Sequence, residues 1–173
     1  MRRLLLLLAL LVTARVVADE LVMPKDFPAA RRVIQLVDGG SWSSEFRYTL
    51  ADADLVIEHR DPKEDKDGMM LVLTLQDRIH LDAVKAKAAW DTIAMLGVSH
   101  WKESYRPEDL HTQVFDGTRW SVSLRVDGVE KSSWGFNVYP SLSPLGVPKL
   151  EEFKDGHRVP DAYSELLSLS PRF

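Results

Sequence analysis

Two Asp-Gly steps flank an alternating run in the second half of the chain, and they constrain the fold more than any other feature. Thr118-Arg119-Trp120-Ser121-Val122-Ser123-Leu124-Arg125-Val126 alternates strictly, with Asp116-Gly117 before it and Asp127-Gly128 after it. A two-residue type I′ turn needs positive φ at both central positions, and Asp-Gly meets that need at low cost. The pattern predicts three strands, over 112–115, 118–126 and 129–138. With a period of two, Trp120, Val122, Leu124 and Val126 share one face, and Ser121, Ser123 and Arg125 share the other. One face therefore meets a core, and the other is wet or carries polar contacts.

The first half adds β-type segments of its own. Residues 32–37 are rich in β-branched side chains and stop at Asp38-Gly39-Gly40. Residues 46–50 alternate, 54–60 do so less cleanly, and 69–75 are almost continuously apolar. Four antiparallel strands with short connections fit this pattern. Asp61 to Gly68 then reads as a solvated hairpin loop whose charges guard the sheet against aggregation.

Residues 81–96 change character. They hold five Ala and no Gly or Pro. Leu81, Val84, Ala88 and Met95 fall near one helical face, with Ala89, Ile93 and Leu96 close by. Gly97 is placed to close the helix in the left-handed conformation. A short helix over 149–154 and a C-terminal helix opened by Pro160 and Asp161 complete the inventory. The expected fold is α+β: an antiparallel sheet of about six to seven strands packed by one long central helix, with a short C-terminal helix.

The N-terminus reads as an address. Arg2-Arg3 precedes an unbroken apolar run from Leu4 to Val12, about half of what spans a bilayer. Val16-Val17-Ala18 supplies modest residues for cleavage, so residues 1–18 are expected to be a signal peptide and 19–173 a single α+β domain. Cleavage would remove Arg2, Arg3 and Arg15 from a chain whose net charge is already −4. An acidic product is a poor partner for nucleic acid. No later apolar stretch is long enough to span, so no transmembrane segment is expected in the mature chain, which would be periplasmic or extracellular. Zero Cys excludes a disulfide scaffold, a thiolate nucleophile, a Cys-ligated zinc and a lipoprotein anchor.

Motifs that carry a reaction are missing. There is no Gly-rich phosphate loop and no His pair at metalloprotease spacing, and Gly39-Gly40-Ser41-Trp42-Ser43 lacks the second Gly of a nucleophile elbow. An EF-hand alignment over Lys63 to Thr74 fails at both ends, where carboxylates are required. A His100–His111–Asp116 metal site and a triad of Ser121 or Ser123 with either His can be drawn, but scattered residues of these types are more often structural. Neither a metal nor a cofactor is expected, and no catalytic residue is assigned. The aromatic residues carry more information. Trp101, Tyr105, Trp120, Trp134 and Tyr139, with Asn137 beside them, are the candidate binding residues for a protein or a glycan. Their competing role is as core between helix and sheet.

Gly97-Val98 with Trp101-x-x-x-Tyr105, then Asp116-Gly117-Thr118-x-Trp120, then Gly135-x-Asn137-x-Tyr139-Pro140, resembles a group of uncharacterised secreted bacterial proteins. Those carry W-x3-Y, then D-G-T-x-W, then a strand ending in N-x-Y-P. The resemblance covers about residues 80–140 and implies export and an α+β domain. It brings no catalytic residue. The expected function is that of an exported, non-enzymatic domain that binds a protein or glycan in the cell envelope. The alternatives are an envelope hydrolase and an inhibitor of a secreted enzyme that inserts the loop 140–148.

Overall fold

A computed structural model describes residue 27 and residues 29–39, 43–65, 68–114, 117–142, 146–151, 153–154, 157–158 and 161–169. The expected signal peptide, 1–18, lies outside the described residues. The chain is α+β. Its main sheet is built from β1 (Arg32–Gly39), β2 (Glu45–Ala51), β3 (Asp54–Asp65), β4 (Gly68–His80), β5 (Ser104–Tyr105), β6 (Arg119–Val126) and β7 (Val129–Phe136). The seven strands lie in the order β4-β3-β2-β1-β6-β7-β5, antiparallel throughout except where β5 runs parallel to β7. A long helix, α1 (Ala83–Met95), follows β4, and a short one, α2 (Ala162–Leu167), lies near the C-terminus.

The turns explain the meander. Asp127 and Gly128 sit at φ 49° and 85°, and Val126 pairs Val129 across them, which is the geometry expected of this Asp-Gly step. Asp52 at φ 49° opens the β2–β3 turn. The other Asp-Gly step behaves differently. Residues 112–114 form no strand, 115–116 lie outside the described residues, and Gly117 does not have positive φ. Gly117 is needed for space instead: a Cβ there would lie 1.9 Å from the side-chain nitrogen of Asn137.

The register sorts the side chains. Ile34, Leu36, Tyr48, Leu50, Leu55, Ile57, Trp120, Val122 and Leu124 share one face, and the helices cover that face. Asp82 caps α1 by accepting from the Lys85 N–H at 2.9 Å, and Gly97 follows at φ 64°. The inward side of α1 is Ala86, Trp90 and Ile93, spaced by four and three residues. The face expected from periodicity was turned too far: Val84 and Met95 are 79% and 73% exposed. Trp90 sets the rotation, because its indole must reach a partner when buried. It donates to the Asp52 carbonyl at 2.7 Å.

Two further expectations are corrected. Asp61 to Gly68 is not a loop, because β3 runs to Asp65 and β4 begins at Gly68. Residues 149–154 are not helical. Lys149–Leu150 forms β9 against β8 (Val138–Tyr139), and Phe153–Lys154 forms β10 against β11 (His157–Arg158). A segment this short gains little as a free helix, whereas β8 offers it backbone partners. α2 is opened by Asp161 as its cap, which accepts from Ser164 N–H at 2.7 Å. No helix among the described residues is long and apolar enough to cross a membrane.

Candidate functional site

The six candidate residues divide between the two faces of the sheet. Trp101, Tyr105, Trp120 and Tyr139 are buried together on the helix-covered side. Trp120 is 2% exposed and sits at the centre. Its ring lies 4.8 Å from Tyr163 of α2, 5.6 Å from Tyr105, 5.8 Å from Tyr139 and 6.0 Å edge-on from Trp101. Its indole donates to the Val138 carbonyl at 2.8 Å, and the Trp101 indole to the Leu96 carbonyl at 3.1 Å. The Tyr163 hydroxyl ties α2 to β1 by donating to the Val37 carbonyl at 2.8 Å. Burial raises the Tyr105 phenol above its ordinary value, although the Lys102 N–H donates to its oxygen at 3.0 Å and opposes the shift.

Asn137 is a fastening. At φ 52° it breaks the strand between β7 and β8. Its side-chain oxygen accepts from Thr118 N–H at 2.7 Å, and its own N–H donates to the Thr118 carbonyl at 3.1 Å. Glu151 N–H donates to its carbonyl at 2.7 Å, which seats β9. These bonds hold the loop before β6 against the end of β7.

Trp134 stands apart. It pairs Ser121 in register, so it projects from the opposite face, the one with no described helix on it. Along this face run Trp134, Ser121, Val37, Arg47 and Glu58, and beside them Phe136, Arg119, Gly39, Glu45 and Arg60. The Arg106 guanidinium lies 4.9 Å over the Trp134 ring. Arg106 and Arg119 make no ion pair among the described residues. Further along, Glu45, Arg47, Glu58 and Arg60 alternate in sign both along and across their strands. Arg47 meets Glu45 at 3.0 Å, and Arg60 meets Glu58 at 3.5 Å. The buried Nε–H groups of both Arg have no acceptor among the described residues. Gln35 donates to Thr49 at 3.1 Å in the floor, and Phe27 lies over the far end, under Arg78 and bonded to Arg125. Alternation foretold that this face is polar, but Arg106, Phe136 and the charged quartet become one surface only once the strand order is known.

Constellations suited to catalysis are sparse. No hydrogen bond or ion pair joins His100 to His111 among the described residues, and Ser121 and Ser123 lie on the sheet face away from the helices, where Ser123 is buried. Among the described residues no cluster of His, Cys and carboxylates could hold a metal. The His59 ring nitrogen lies 3.4 Å from Thr74 and its other nitrogen 3.4 Å from Asp61. The Thr74 hydroxyl, however, donates to Asp61 at 2.9 Å, so its proton goes to a carboxylate and no nucleophile is prepared. Ser44 also donates to Asp61 at 2.6 Å, and these two hydroxyls hold the Asp61 carboxyl below its ordinary pKa. Ser99 and His100 touch at 3.2 Å, with no carboxylate to orient the ring.

The apolar cavity between α1 and the sheet, lined by Leu55, Ile93 and Leu166 among others, holds about 30 Å³. That admits one water, against several hundred Å³ for a small-molecule site. A cleft of about 390 Å³ at the turn tips is lined by Arg31, Arg32, Asp52 and Asp127, and its charges are paired among themselves: Arg31 meets Asp127 at 2.8 Å, and Arg32 lies 3.8 Å from Asp52. The loop 140–148 is closed at its base by the β8–β9 ladder, and its residues 143–145 lie outside the described residues. No family model, curated protein or solved structure matches this chain.

Proposed function

We propose that the chain is an exported, non-enzymatic binding domain that docks a protein partner in the cell envelope through the Trp134 end of the sheet face opposite the helices. One observation carries the reading. Trp134 and Phe136 stand between Arg106 and Arg119 on a face that no described helix covers. Aromatic and Arg side chains grouped at one place are the usual composition of an interface hot spot. The two guanidiniums, without carboxylates of their own, suit a partner segment bearing Asp or Glu beside an apolar anchor. The self-paired quartet further along would add register more than affinity. One face of the Trp134 ring is taken by Arg106, which favours a protein over a stacked sugar. The export half of the reading rests on the basic start and the apolar run from Leu4 to Val12.

The test is site-directed photo-crosslinking in cells. A photoreactive residue at the exposed Ser132, on the Trp134 side of the sheet, is expected to give one discrete protein adduct that Arg119→Glu abolishes. The same residue at Val84, on the outer side of α1, is expected to give none. Equal adducts from both positions, or none from Ser132, would overturn the docking assignment. A recovered protein that still begins at Met1 would overturn export. If a glycan shields Trp134 from a neutral quencher and no protein adduct forms, the ligand is a sugar.

A further inference from the structure

The β3–β4 hairpin outruns the sheet. β2 pairs β3 only as far as Arg60, yet β3 and β4 continue pairing from Asp61–Val72 to Asp65–Gly68. A register shift at His59/Arg60 marks where the arm begins. Beyond it, among the described residues, the two strands stand alone, and a two-stranded ribbon is marginal in water without a third strand. β4 is also the edge of the whole sheet. Its outer half reads Met69-Met70-Leu71-Val72-Leu73, apolar on both faces, and Met69, Met70, Leu71 and Leu73 are 38–49% exposed. Exposed edges are normally guarded by charge, Pro or a bulge on the edge strand itself. Here the charges and the Pro lie on the inner strand β3, where they cannot block approach to β4.

From this we infer that β4 pairs antiparallel with β4 of a second copy of the chain, about a two-fold axis at Leu71. The register follows from the residues. Faces match only if each residue meets one of its own parity, and the shift near Thr74 confines clean pairing to 68–73. Three registers then remain, with the axis at Met70, Leu71 or Val72. With the axis at Leu71, Met69 faces Leu73 and Met70 faces Val72 across the seam, apolar on apolar on both sides. The inner strands decide among the three. Glu64 lies behind Met69 and Arg60 behind Leu73; Lys63 lies behind Met70 and Asp61 behind Val72. Each row across the seam therefore ends in opposite charges, Glu64 against Arg60 and Lys63 against Asp61. Arg60 and Lys63 can lay their stems over the apolar residues toward the opposing carboxylates. With the axis at Met70, Lys63 would face Lys63; with it at Val72, Asp61 would face Asp61. The isologous seam turns each two-stranded arm into part of a four-stranded one and joins the two sheets.

The natural chain has no Cys, so an introduced thiol is unique. Directly opposed residues bring Cβ atoms to about 4.5–5.5 Å, near enough for a disulfide or a short bis-thiol linker. Leu71→Cys alone is expected to cross-link into a dimer under mild oxidation. Met69→Cys and Leu73→Cys are each expected to fail alone and to cross-link when mixed. Sedimentation equilibrium of the purified protein is expected to show a reversible dimer. Leu71→Lys, which sets two cations at the axis, is expected to weaken it at least about 100-fold, and Glu64→Lys, which faces Arg60, to weaken it less. Circular dichroism and melting of both variants check that the fold is kept, and Glu64→Lys alters only an exposed side chain. A protein that stays monomeric, cross-linking of Met70→Cys or Val72→Cys in place of Leu71→Cys, or an assembly indifferent to both charge variants would overturn the assignment. The monomeric outcome would leave β4 to a strand of another protein.

Discussion

Replacing Gly135 by Ala tests the centre of the fold with one methyl group. In a strand interior such a change normally stabilises by about 0.5–1 kcal/mol, since Gly loses more backbone freedom on folding. Here the opposite sign is expected. A Cβ at Gly135 would lie 2.4 Å from Nε1, 2.5 Å from Cε2 and 2.6 Å from Cζ2 of Trp120, where carbon contacts prefer about 3.5–4.0 Å. The indole must move by about 1 Å. It is hemmed in by four aromatic rings and tethered by its bond to the Val138 carbonyl. Overpacking costs about 1–3 kcal/mol, and a buried indole N–H pulled off its acceptor costs about 1–3 more. Set against the usual gain, a net loss of about 1–5 kcal/mol follows. That corresponds to a fall in Tm of about 2–20 °C for a domain of this size. Urea unfolding followed by tryptophan fluorescence reads it as a lower midpoint at unchanged m. In a Trp120→Phe background, where the overlapping atoms are gone, the same change is expected to be neutral or stabilising, the whole of the parent's loss being coupling between the two residues. A Gly135→Ala protein as stable as the parent would show that Trp120 is not seated over β7, and the account of the motif would fail with it.

Two further outcomes follow from single residues. Asn137→Gly keeps the positive φ and loses the side-chain bond to Thr118, at a cost of about 1 kcal/mol or more, whereas Asn137→Ala loses the same side chain and adds left-handed strain of about 1 kcal/mol; equal losses in denaturant unfolding would refute the backbone half of the explanation. Ser44 and Thr74 donate to the Asp61 carboxylate and hold it below its ordinary pKa. A depressed folded pKa gives stability that is present above the unfolded value and is lost as pH falls through the folded one. The NMR midpoint of Asp61 is therefore expected below the ordinary carboxylate range and is expected to rise in Ser44→Ala, and a midpoint unmoved by that substitution would refute the cause.

What could be read from the sequence was whatever the backbone states locally. The Asp127-Gly128 hairpin, the alternation of β6 and the Gly97 helix stop each depend on a few neighbouring residues, and each appears in the structure. The errors arose where a distant partner decides. The rotation of α1 is fixed by Trp90 reaching the Asp52 carbonyl across the chain. Residues 149–150 become a strand because β8 lies beside them. Gly117 looked like a turn residue, and its role appears only when Asn137 is placed against it. The arm 61–73 escaped notice because charge was read as loop, whereas its alternate charges sit on an inner strand behind an apolar edge.

The most motif-like residues are thus informative about folding and uninformative about partners. Gly135 and Trp120 need each other, as do Gly117 and Asn137. Asn137 holds β9 by its carbonyl and Thr118 by its side chain, and Tyr139 packs between Trp120 and Tyr163. Changing any one of them leaves a void, a clash or an unpaired buried group, so packing and hydrogen bonding within the domain account for the pattern. A binding surface obeys no such constraint. Its residues must project away from the core, and on a strand that means the other parity. Trp134 and Phe136 on β7, Arg119 on β6 and Arg106 after β5 meet that condition. The parity of β7 therefore divides the chain's aromatic residues into those that build the domain and those free to recognise something else.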